Sequence, residues 1–94
     1  MAHFAKIEND TVTSVIVVSN DDCGGGDFPD SEPIGQAFIA SLGLEGLWLQ
    51  TSYSGSFRKH FAGIEYDWFP NLGEYGEFAL PPIPENIEND QQKN

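Results

Sequence analysis

Positive charge is scarce in this 94-residue chain: Lys6, Arg58, Lys59 and Lys93 stand against fifteen acidic residues, for a net charge of −11. Such a surface repels phosphate backbones, which argues against nucleic-acid binding and for a strongly solvated exterior. Cysteine is nearly absent. Cys23 stands alone, so no intramolecular disulfide can form, and without a CxxC or Cys/His set the spacing for structural zinc is missing. Histidine is limited to His3 and His60, far apart in sequence. No apolar run reaches membrane-spanning length, and the opening M-A-H-F-A-K lacks the basic-then-apolar order of a secretion signal. The expectation is a soluble, reduced protein with neither membrane nor nucleic-acid partners. A chain this short makes one domain with a modest core, stabilised further where neighbours add burial.

What the chain does have is a dense β-branched stretch, Thr11 to Ser19 (T-V-T-S-V-I-V-V-S). It alternates at its start and is apolar on both sides from Val15 to Val18, the pattern of a central strand covered on both faces. His3–Ile7 reads as a preceding strand, joined through Glu8-Asn9-Asp10, whose Asn and Asp tolerate the positive φ of a tight hairpin. Asn20 to Glu32 breaks every periodicity, with three consecutive glycines and five acidic residues, and reads as an exposed loop. Ser31 or Glu32 caps a helix predicted over Pro33–Leu42, with Ile34, Phe38 and Leu42 as its apolar stripe and Gly43 as its stop. Strands come next at Leu47–Tyr53 and Phe57–Ala62. A final hairpin, Ile64–Phe69 with Glu77–Leu80, turns around Pro70–Gly73. The fold class is therefore α+β: a small, mainly antiparallel sheet of about five strands, one short helix and an extended Pro-rich C-terminal arm. The domain covers residues 1–82, and 83–94 form an acidic tail.

Candidate chemistry is thin. Asp21, Asp22, Asp27 and Asp30 could face a cation, but their spacing does not match a calcium loop. Gly24-Gly25-Gly26 lacks the Lys-Ser/Thr of a phosphate loop. Ser52, Ser54 or Ser56 with His60 lacks a nucleophile elbow, and Glu65 with Asp67 reads as an exposed strand face before a glycosidase pair. No catalytic residue, metal or cofactor is assigned. Arg58-Lys59-His60, the one basic spot, reads equally as a dock for an acidic surface and as ordinary strand-face charge. The late rings, from Phe57 to Phe78, exceed what one small core needs, which points to an interface.

Five segments in order carry a resemblance: M-A-H-F-A-K-I-E-N, V-I-V-V-S-N-D-D-C, P-I-G-Q-A-F, W-L-Q-T-S-Y and F-R-K-H-F-A-G-I. Together they resemble a family of short virion-associated proteins of marine tailed phages, cyanophages among them. The resemblance covers Met1 to about Pro82. The chain keeps R-K-H-F-A-G-I-E-Y-D and F-A-L-P-P-I-P, then departs into P-E-N-I-E-N-D-Q-Q-K-N. Relatives of this kind are usually labelled structural or tail-related. The resemblance implies a non-enzymatic accessory structural protein of the virion, foremost a capsid decoration or cement protein. A tail fibre or baseplate element is the second reading. A carbohydrate- or ligand-binding module, with Trp48, Tyr53, Tyr66 and Trp68 as stacking platforms, is the third. The expected partners are other virion proteins (major capsid or tail proteins) and copies of the chain itself. Partner-binding residues are expected at Arg58, Lys59 and His60, at Tyr66, Trp68 and Phe69 of the late hairpin, and at Ile83 and Ile87 of the arm.

Overall fold

In the computed structural model, which describes residues 1–81, one helix packs on a five-stranded antiparallel sheet, the α+β class read from the sequence. Ile83, Ile87 and the expected tail 83–94 lie outside the described residues. Strands β1 (Ala2–Glu8) and β2 (Thr11–Val18) form the first hairpin. Asn9 and Asp10 turn it at φ 52° and 61°, the left-handed pair that a two-residue type I′ turn requires. The register steps from Lys6↔Ser14 to Ile7↔Val12, so Thr13 is an extra residue that bulges from β2. Strand β3 (Leu47–Thr51) pairs with the other side of β1, and β4 (Asp67–Phe69) with β5 (Glu77–Ala79) makes the last hairpin. The strand order is β3-β1-β2-β4-β5.

Successive residues of β1 point to opposite faces, and each face holds its own core. Phe4 lies under the helix α1 (Ser31–Ser41) with Ala2, Val18, Cys23, Ile39 and Trp48. Ala5 and Ile7 belong to the second core, with Val12, Leu49, Ala62, Trp68 and Phe78. The strand covered on both faces is therefore β1, where Phe4 and Ala5 are 0% exposed. The expectation for β2 is corrected: it is third in the order, yet Val17 is 52% exposed. The cause is the chain's path. Strand β4 meets β2 only at Thr11↔Asp67, and no strand among the described residues pairs with the outer side of the far half of β2.

Three further expectations change. The helix starts at Ser31 and buries Ser31, Gly35 and Ile39, whereas Ile34 and Leu42 of the expected stripe are 47% and 58% exposed. Gly35 decides the choice of face: a methyl there would collide with the Phe4 ring and sit 3.0 Å from Cys23 Sγ, so bare backbone lies on the core. Phe57–Ala62 is not a strand, because Arg58 and Lys59 adopt φ 58° and 69°. Within Asn20–Glu32, a short 3₁₀ turn (Asp21–Cys23) carries Cys23 into the core, 1% exposed, so that loop is anchored.

Candidate interaction surface

The one basic spot folds inward at its first residue. The Arg58 guanidinium donates in a fork to both carboxylate oxygens of Glu32 on α1, and to Gln50 O at 2.8 Å. Its Nε donates to Tyr75 O at 2.9 Å. The planar group lies against two rings, 5.0 Å from the Phe28 centroid and 5.2 Å from that of Trp68. Its backbone carbonyl accepts from His60 N and Phe78 N, which fixes the left-handed bend. Arg58 thus ties the loop to α1, β3 and the late hairpin. Lys59 is exposed beside it, on a cleft of ≈ 340 Å³ that also presents Glu74 and Glu77, while His60 is half-buried.

The late rings are mostly absorbed by the fold. Phe78 and Trp68 are core residues with centroids 4.8 Å apart, and Tyr66 packs against the same cluster. Phe57 stacks on Phe28 at 3.8 Å, and Tyr75 meets Phe28 edge-on at 4.9 Å. Phe69 stays 41% exposed. Of the four rings expected as stacking platforms, Trp48 and Trp68 are each 7% exposed and closed to a ligand, while Tyr53 is open at 75%, stacked on His3. Ser52, Ser54 and Ser56 hydrogen-bond among themselves. Glu65 sits in a turn at φ 76°, so it does not share a strand face with Asp67. Among the described residues no three His, Cys, Asp or Glu side chains converge as metal ligands, the aspartates of the 21–30 loop included.

The sheet's outer edges are treated unequally. The edge of β3 is covered by side chains: Gln36 Nε2 donates to Trp48 O at 2.6 Å, Gln50 N donates to Glu32 Oε2 at 2.8 Å, and Arg58 takes Gln50 O. Beneath them, Ser31 Oγ donates to Gln50 Oε1 at 2.7 Å. The outer side of β2 is occupied only at its start, where Val12 N donates to Tyr66 O and Glu65 N to Val12 O, both at 2.8 Å. From Ser14 to Val18 that side has no strand partner among the described residues.

Six of the twelve exposed large apolar side chains among the described residues lie on charge-free segments. Thr11–Asn20, Pro33–Leu44 and Gly46–Phe57 contain no charged residue, although the chain carries −11. The first leaves Val17 exposed, the second leaves Ile34, Leu42 and Leu44 exposed at 47%, 58% and 43%, and the third leaves Leu47 and Tyr53 exposed. All three meet in one core cluster, through Val18 and Ile16, Ile39 and Phe38, and Trp48. No protein-family model matches the chain, and no curated protein or solved structure matches it either.

Proposed function

We propose that the chain is a non-enzymatic accessory structural protein of a tailed-phage particle, and specifically a capsid decoration protein. One observation supports this reading beyond the motif resemblance: an acidic chain keeps three uncharged segments on which Val17, Ile34, Leu42, Leu44, Leu47 and Tyr53 remain exposed. A small domain that leaves such side chains exposed, and one strand edge without a strand partner among its described residues, is built to be covered by protein. The acidic remainder would face solvent and keep decorated particles apart. Quantitative mass spectrometry of purified particles from the encoding phage is the test. A copy number close to that of the major capsid protein supports decoration, a small fraction of it moves the protein to the tail, and absence from particles overturns the virion reading.

A further inference from the structure

We propose that the open edge of β2 pairs with β2 of a second copy, antiparallel across a two-fold axis, joining two sheets into one. The hydrogen-bond pattern says which residues would do it. Gln50 turns its N–H and C=O away from β1, so Phe4, opposite Gln50, must direct its own bonds to Ile16 on β2. Alternation along β2 then turns the N–H and C=O of Val15 and Val17 outward, onto the side that has no strand partner among the described residues. An antiparallel pairing centred on Ile16 sets Val15 of each copy against Val17 of the other, each exchanging both backbone bonds. The exposed Val17 side chain then packs on Val15 across the strands. The arrangement is self-complementary, as a two-fold interface must be.

Charge limits where two copies can meet. Two chains of −11 repel wherever acidic surfaces approach, so they meet on uncharged stretches, and Thr11–Asn20, Pro33–Leu44 and Gly46–Phe57 are such stretches. The edge also lacks the usual guards: Ser14–Val18 holds no charge, proline or glycine, whereas the β3 edge is closed by Gln36, Glu32 and Arg58. Asp10 and Asp21 flank the edge at its two ends, so residual repulsion opposes the pair, and salt should strengthen it by screening. The pairing is independent of any role in a particle.

Sedimentation velocity of the full chain over a concentration series, at low and high salt, tests the proposal. A monomer–dimer equilibrium that tightens with salt is expected, together with slowed amide exchange at Val15 and Val17 in the dimer. Val17→Lys, at an exposed site that leaves the circular dichroism spectrum unchanged, should weaken dimerisation at least about tenfold by replacing the apolar Val17–Val15 contact across the strands with a charge. A monomer at every concentration overturns the proposal. So does a dimer dispersed by salt, which would mean ion pairing. So does one that resists Val17→Lys but yields to Leu42→Lys, which would mean helix packing alone.

Discussion

The Arg58 guanidinium, its side chain 6% exposed, meets a carboxylate, two backbone carbonyls and two aromatic faces. Its partner Glu32 is only 16% exposed, so removing the arginine strands a carboxylate away from water. Arg58→Ala should therefore cost about 3–5 kcal/mol, the range for breaking a buried pair at one end, and urea titration will show a chain close to unfolded. Arg58→Lys should recover only part of this, because an ammonium cannot hold the fork to Glu32 and lie flat on Phe28 and Trp68 together. A loss below about 1 kcal/mol in the alanine variant would mean that the pair behaves like a surface one. Gly35 makes the opposite demand, for absence of a side chain. Alanine gains about 1 kcal/mol of helix propensity but presses on the fully buried Phe4, so a net loss of about 1–2 kcal/mol is expected by the same titration. Cys23 is held neutral, its thiol pushed up first by burial and then by the charge of Asp22. A raised folded value means that its contribution is intact below the ordinary thiol range, because the folded state binds the proton more tightly. It is a destabilising one for the thiolate, so stability falls as pH climbs past that range. Iodoacetamide should label Cys23 slowly in the native protein and rapidly once urea unfolds it.

Among the elements, the β1–β2 hairpin carries a test of turn chemistry. Asn tolerates the left-handed region better than Asp does, and glycine meets no steric penalty there. Asp10→Gly should stabilise the hairpin by about 0.5 kcal/mol and raise the melting midpoint by a few degrees, since Asp10 uses its backbone carbonyl, which accepts from Trp68 N at 2.7 Å. That turn was legible because its causes are local: Asn and Asp at the tip, β-branched residues alongside. The helix stop at Gly43, φ 83°, and the late hairpin were legible for the same reason. The misread pieces each depend on a distant residue. Ile34, Phe38 and Leu42 have the spacing of a buried stripe, but the Phe4 ring on β1 selects the Gly35 side of the helix instead. Arg58 and Lys59 lie in Phe57–Ala62, the stretch read as a strand. They bend because Glu32, Gln50 and Tyr75 converge on one guanidinium. The basic cluster was visible as composition, whereas its inward first residue is set by contacts up to 26 positions away.

At the scale of the whole molecule, the described residues form both cores between Ala2 and Phe78, so the fold's stability should not depend on residues 83–94. Deleting that segment removes Glu85, Glu88, Asp90 and Lys93, and three negative charges less one positive take the net charge from −11 to −9. Less self-repulsion accompanies an unchanged core, so the melting midpoint should stay within error or rise slightly. The β2 edge survives the deletion, and any rise of the midpoint with protein concentration should survive with it. Attachment is another matter under the virion reading. Ile83 and Ile87 are the large apolar residues of that segment, and seating both in a neighbour's grooves contributes roughly 3–6 kcal/mol before ordering entropy is subtracted. That is enough to decide occupancy on a particle. The truncated chain should therefore fold and self-associate as the full chain does, yet fail to appear on particles purified from a phage carrying the deletion. Truncated protein at full copy number would place the attachment surface within residues 1–82, with the exposed residues of β2 and α1 as the next surface to mutate.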